Sequence, residues 1–275
     1  MTRPMNRALV VKSFRDARGL IAAALVAVVL FEILFVLAMQ KIAPELVGFM
    51  NRFEFLRRIF QVLVSLDLSA AASPTSLVSL GLLHPFLSAV TWGTLVTLGT
   101  RLPAGEIDRG TADLLLSLPV TRRTIYLSHT GFCGLTALVL ALATWSGIAL
   151  GTRLAAFPEP VDLARIAMAS ANQAALLLAI GGTTALVSCL VNRRGVAVAI
   201  VVTLLLASFL INFLAVFLPF FESIQFLGFL HYYRPVDIVR DGRWPFRNLA
   251  LLAAVAVAAW TIGLVAFHRK DIPVA

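Results

Sequence analysis

The chain has 275 residues, of which 60% are hydrophobic and 13% charged, against roughly 25% charged in ordinary soluble domains; its mean hydropathy of +0.92 excludes a typical soluble enzyme. A formal net charge of +9 would suit a nucleic-acid binder, but the basic residues cluster at the ends of apolar runs of about 20 residues, the length that crosses a bilayer core. Continuous runs rather than short alternating segments exclude a β-barrel, leaving an all-α integral membrane protein without a nucleic-acid partner.

In chain order, Met1 to Arg18 is basic with scattered apolar residues and predicts an amphipathic helix lying along the membrane surface. The run 19–39 is too long for a signal-peptide core and lacks an A-x-A site, so it reads as a retained first span. Glu32 is the one acidic residue inside any run. A carboxylate near mid-membrane costs about 2.5 kcal/mol or more, so it should face protein or a wet cavity, either on a substrate path or as a hydrogen-bonded packing residue. Residues 40–76 form an outer connection in which Phe49 to Phe60 has the pattern of an interfacial helix.

The second span covers 77–99, with His84-Pro85 near its outer end. Next come Gly105-Glu106-Ile107-Asp108-Arg109-Gly110-Thr111 and Leu118-Pro119-Val120-Thr121-Arg122-Arg123. Ile107, Leu114, Leu115 and Leu118 fall near one face of a helical period, acids sit at its start, and Pro119 should stop it near Ser117. A short helix with an apolar face, held in water between two spans, needs a partner. The third span covers 130–151 and the fourth 163–190. Gly181 and Ala185 on the latter permit close helix approach, and Asn172 and Gln173 can hydrogen-bond across helices. Asn192-Arg193-Arg194-Gly195 is a basic turn. The fifth span covers 196–218, with Asn212 in its outer half. Segments too short to cross, Leu227 to Leu230 and Pro235 to Val239, predict re-entrant or surface helices before the sixth span at 248–267.

Six spans put both termini on one side. That side carries 13 basic and five acidic residues against 10 and eight on the other, so the termini and the 101–129 connection read as cytoplasmic. Eleven of the twelve prolines lie outside the runs, as membrane helices favour. Cys133 and Cys189 fall inside runs and read as small buried hydrophobes. No phosphate-binding glycine loop, zinc spacing or nucleophile elbow occurs. The chain therefore reads as a single transmembrane domain, 1–275, that is not an enzyme, with no catalytic residue, no metal site and no cofactor of its own.

Over the 18 residues from Gly105 to Arg122, the sequence resembles the type-2 ABC transporter permeases, whose pattern runs G-E, an acid two residues on, R-G-T, then L-L-L-S-x-P-V-[ST]-R. His84-Pro85 and Tyr232-Tyr233-Arg234-Pro235-Val236-Asp237-Ile238 are also similar to members of that group. The resemblance implies that the 105–122 stretch is a coupling helix contacting a separate ABC ATPase subunit, which binds ATP and magnesium. Glu106, Arg109, Gly110 and Thr111 match its start, and Leu114, Leu115, Leu118, Pro119 and Arg122 its docking face and stop. Arg193 and Arg194 are candidates for a second cytoplasmic contact, and Glu32, Asn172, Gln173 and Asn212 for a substrate path. Where the family often has lysine, this chain has His129. Two permease chains, identical or not, would work with two ATPases in the cytoplasmic membrane of a prokaryote to export an apolar or amphipathic compound. The alternative is a secondary transporter or channel using Glu32 as its proton or cation site.

Overall fold

The computed structural model describes residues 6–52, 73–117 and 119–271, with the side chains of 43–52, 115 and 116 set aside. Among the described residues no strand occurs. Helix α1 (Arg7–Arg52) is followed by α2 (Pro74–Ser79), continued by a tight turn over Leu80–Leu83, and by α3 (Pro85–Gly99). Two short helices, α4 (Glu106–Asp108) and α5 (Ala112–Leu116), lead to α6 (Arg122–Leu154). Then come α7 (Leu163–Leu190), α8 (Arg194–Leu214), α9 (Pro219–Ile224), α10 (Pro235–Asp241) and α11 (Phe246–Arg269). Helices α1, α6, α7, α8 and α11 are long and apolar enough to cross a membrane. Helices α2 and α3 satisfy the same test only together, bent by 44° at their junction. This is the architecture of a multi-pass helical membrane protein.

Several boundaries differ from the sequence reading, each for a local reason. The expected surface helix over the N-terminal residues is instead the first part of α1. Asn6 caps it, its Oδ1 accepting from Ala8 N at 2.9 Å, and Ala17 and Ile21 pack with Leu98, Phe132 and Cys133, so the helix has no reason to break before the apolar run. It continues to Arg52, past the expected end at 39; the rest of the expected interfacial helix, Phe53 to Phe60, lies outside the described residues. The second span breaks at His84-Pro85. Proline disfavours helix in the residue before it and suits the first turn of a new one. His84 is accordingly extended and caps α3, its Nδ1 accepting from Phe86 N at 3.2 Å. Helix α6 starts eight residues earlier than the expected 130, because Thr121 caps it through Thr124 N at 3.2 Å. Helix α7 spans 163–190 as read, with Asp162 accepting from Ala164 N and Arg165 N at its start.

Helix α7 is central. In its most apolar stretch 72% of residues are buried, against 22% in α8 and in α11. It packs most extensively on α11 and also meets α3, α6, α8 and α10. The second extensive packing is α1 on α6, where Gly147 and Gly151 form a small-residue seam. A Cβ on Gly147 would sit 2.9 Å from Glu32 Cβ and 3.1 Å from Val29 Cα; one on Gly151 would sit 2.9 Å from Val36 Cβ. On α7 the close approach is at Gly182, whose Cβ would lie 2.9 Å from Ala256 O of α11. Gly181 faces open space, correcting the expectation placed on it. Outward faces remain apolar, with Val26, Leu30 and Leu34 on α1, Leu206 and Phe209 on α8, and Val257 and Ile262 on α11 all exposed. Such a girdle is stable in hydrocarbon and costly in water.

Candidate functional site

The segment joining α3 to α6 is a folded turn, not the single helix the apolar period predicts. After α3, Leu102 is extended (φ −131°, ψ 136°), as the residue before Pro103 should be. Chain direction then changes twice. Helix α4 lasts one turn, and Gly110 follows in the left-handed region at φ 68°, which a residue with a Cβ adopts only at a cost. Helix α5 resumes beyond it. Ile107 and Leu114 therefore sit on separate helices.

Side chains of the G-E-x-D-R-G-T stretch close this turn on itself. Glu106 Oε1 accepts from Arg109 Nη2 at 2.8 Å. Glu106 Oε2 accepts from Thr111 Oγ1, while Thr111 N donates to Glu106 O at 2.9 Å. Glu106 is thus satisfied by its own turn, and Arg109 and Thr111 hold it there. The result is a rigid platform from which α5 projects. Leu114 stands on it 72% exposed, and Pro119 is exposed where the segment ends. The side chain of Leu115 and the whole of Leu118 lie outside the described residues. Arg122 is committed elsewhere, donating to Lys270 O at 2.7 Å; Lys270 Nζ in turn donates to Val191 O at 2.6 Å.

The platform is fastened to the core. Ser188 of α7 accepts from Ala104 N at 3.1 Å and donates to Leu102 O at 3.0 Å, satisfying two backbone groups that the kink leaves without helical partners. Arg194, at the start of α8, donates to Thr97 O at 3.2 Å and Thr100 Oγ1 at 3.4 Å. The stretch that leads into the α4–α5 turn is thus tied to α7 through Ser188, and the end of α3 to α8 through Arg194. Arg193 is exposed beside it as the residue capping α8.

Between this turn and the first turns of α1 lies an open cavity of about 730 Å³, lined by Lys12, Asp16, Arg101, Glu106, Arg109, Thr111, Leu114 and Arg194. Lys12 pairs with Asp16 at 3.4 Å and Arg109 with Glu106 at 2.8 Å. Arg101 has no ion pair among the described residues, and Arg194 bonds only to neutral oxygens, so the rim carries surplus positive charge. His129, where the resembled pattern has lysine, is buried and its Nε2 lies 3.1 Å from Leu98 O. It ties α6 to α3 rather than pairing with an acid. Cys133 and Cys189 are buried and free, as their setting in apolar runs suggests.

The four residues read as a substrate path stand in different settings. Glu32 is completely buried beside Gly81 and Gly147; contrary to the packing expectation, neither carboxyl oxygen has a hydrogen-bond partner among the described residues. Asn172 is a brace, its amide donating to Tyr232 O at 3.1 Å and accepting from Arg234 N at 3.2 Å. Gln173 is buried with Oε1 unpartnered. Asn212 lines a cavity at the far end of α8. Sequence reasoning gave no role to Ser188 or Arg101. The signal available for Ser188 was a hydroxyl one turn beyond Thr184 near the end of a helix, which is common in membrane helices and points to no particular bond. Among the described residues no cluster of three metal-ligating side chains occurs. Comparison of the chain with protein-family models, curated proteins and solved structures finds no match.

Proposed function

We propose that this chain is the membrane subunit of an ATP-powered transporter, a permease of the type-2 ABC class. It takes its energy from a separate ATPase docked on the α4–α5 turn. On this reading the bent α2–α3 pair is one span, giving six, and both termini lie in the cytoplasm with the docking turn.

The observation that carries the proposal is the combination at that turn. The stretch resembling the family's coupling motif is built into a self-closed platform, presents an exposed leucine, and is fastened through Ser188 and Arg194 to the core. A groove on a partner can take Leu114 as helix-in-groove recognition does, while the positive rim around Arg101 and Arg194 complements acidic side chains and fixes register. Closing of two such partners on ATP would displace the platform, and α3, α7 and α8 would move with it as packed bodies. Glu32, completely buried, is the site of the alternative reading, a proton- or cation-driven transporter, which the energy source of flux separates from this one.

The test is co-expression with the ATPase encoded nearest to this chain's gene, followed by affinity capture and ATP-driven flux in proteoliposomes. The expected outcome is a stoichiometric complex that Leu114→Asp disrupts by at least tenfold, with Leu114→Met retained. Capture unaffected by Leu114→Asp would remove the docking assignment. Flux that persists without ATP and collapses with the proton gradient would replace the proposal by a secondary transporter.

A further inference from the structure

Helix α8 begins at the charged cavity and ends, 21 residues later, at a second one. At a rise of about 1.5 Å per residue the two lie about 30 Å apart, on opposite faces of the membrane in the permease reading. The second cavity measures about 400 Å³, within the range of about 300–1,000 Å³ usual for small-molecule sites. One wall is the end of α8, with Phe209, Asn212, Phe213 and Val216; the other comes from the returning segment, with Glu222 and Gln225.

The polar groups facing this space are unequal in their commitments. Arg234 lies 3.8 Å from Asp237 and donates to His231 O at 3.1 Å. Asp237 is also 3.2 Å from Arg240. Arg240 pairs in addition with Asp241 at 2.8 Å, so the two cations and two carboxylates of this set balance. Glu222 has no cation beside it, and the amides of Asn212 and Gln225 make no hydrogen bond, among the described residues. The aromatic wall is ordered: Phe209 and Phe213 stack with centroids 6.2 Å apart and planes 13° apart. An aromatic face and a carboxylate without a counter-ion together favour one kind of guest. A cation gains from both the ring quadrupole and the carboxylate, whereas an anion meets Glu222 and finds Arg234 already engaged.

We propose that this cavity binds a lipophilic organic cation, its apolar body against Phe209, Phe213 and Val216 and its charge toward Glu222, with Asn212 and Gln225 supplying polar contacts. A free solute and the ammonium headgroup of a phospholipid share that chemistry. The site is independent of ATP; its place on an export route rests on the permease reading.

The probe is tetraphenylphosphonium, measured by equilibrium dialysis against the full chain in detergent micelles, with tetraphenylborate as the same shape of opposite charge. Saturable binding of about one phosphonium per chain is expected, weakened at least fivefold by Glu222→Gln and by Asn212→Leu. Glu222→Asp should retain it, and tetraphenylborate should not saturate. Equal binding of the two ions, or phosphonium binding unchanged in both weakened variants, would overturn the proposal; so would no saturable phosphonium binding to a chain of native helical content. Gln225→Leu provides a further lining variant should Asn212→Leu lose that content. Repeating the measurement with added phosphatidylethanolamine or phosphatidylglycerol separates the sources. Competition by the former alone assigns the site to a lipid headgroup, and competition by neither assigns it to a free solute. Binding intact while ATP-driven flux of every tested cation is absent would sink the transport role and leave the site standing.

Discussion

At the scale of single residues, the informative side chains are those that satisfy backbone rather than those that carry charge into the membrane. Ser188 is buried and serves two backbone groups of another segment at once. Removing its hydroxyl leaves both without a partner, at about 1–3 kcal/mol. Ser188→Ala should therefore lower stability in detergent by about 2 kcal/mol, measured by denaturant titration of helical content. It should also loosen the transmission of movement between α5 and α7. A loss within error of zero would mean that the kinked segment finds other partners. His231 gives a prediction of a different kind. It half-faces solvent beside Tyr232, and burial, then Arg234 and Arg247, hold its pKa below the usual 6.5. Opening the 225–241 segment restores the usual value, so the open form takes the proton first. The segment's stability is unaffected above about pH 6.5 and declines as pH falls through that value. Amide exchange over 225–241 should quicken as pH falls below about 6.5, beyond the intrinsic pH effect, and His231→Gln should remove that excess.

At the scale of elements, the glycines decide which helices can part. The Gly147–Gly151 seam brings α6 onto the backbone of α1, and Gly182 brings α7 onto α11. Small residues that would suit a tight contact between two copies are thus used within one chain. A methyl at Gly147 or Gly182 has no room, and forcing one in costs about 1–3 kcal/mol. At Gly93 and Gly181 an added methyl would meet nothing within 4 Å. Gly147→Ala and Gly182→Ala should each lower the thermal midpoint in detergent by several degrees. Gly93→Ala and Gly181→Ala should leave it unchanged or raise it slightly, since alanine favours helix by up to about 1 kcal/mol. If all four behave alike, the seams do not govern packing. Here the sequence was legible in part. Run lengths located the long helices to within a few residues at most ends, because twenty apolar residues have few other uses. The partner across a seam was not legible, because a G-x-x-x-G pattern states that something approaches closely without saying what. The α4–α5 turn was misread for a similar reason. The apolar period of Ile107, Leu114 and Leu115 fits one helix, and only the left-handed conformation of Gly110 shows that the period spans a break.

At the scale of the whole molecule, charge and exposed side chains separate the two ends of the bundle. Ser117 is exposed at the α4–α5 turn and Ser223 at the opposite end of α8, with the native thiols Cys133 and Cys189 both buried. In sealed, right-side-out vesicles, Ser223→Cys should react with a membrane-impermeant maleimide and Ser117→Cys should not. Inverted vesicles should give the reverse. Both positions labelling from one side would break the six-span arrangement. The candidate site was legible to about the same depth as the fold. Its position between spans and its boundary at Pro119 followed from the residues. The division of labour within it did not, since nothing in a linear pattern distinguishes Glu106, turned inward on Arg109 and Thr111, from Leu114, which points away.

The unbroken first helix has a mechanical consequence. Forty-six residues make a rod about 69 Å long, more than twice the thickness of a hydrocarbon core of about 30 Å. The glycine seam grips it between Val29 and Val36, close to its midpoint, and Asn6 N donates to Ser128 Oγ at 2.9 Å near one end. Were Asn6, Ala17 and Ile21 to part from α6 and α3, the rod would be a lever with that seam as fulcrum. Any tilt that carries the Lys12–Asp16 turn away from the charged cavity must swing the far end of the same helix by a comparable distance in the opposite sense. Spin labels at positions 12 and 50, each paired with one on α7, should therefore report changes of opposite sign, whereas a helix that bends at Gly19 would move only its first turns.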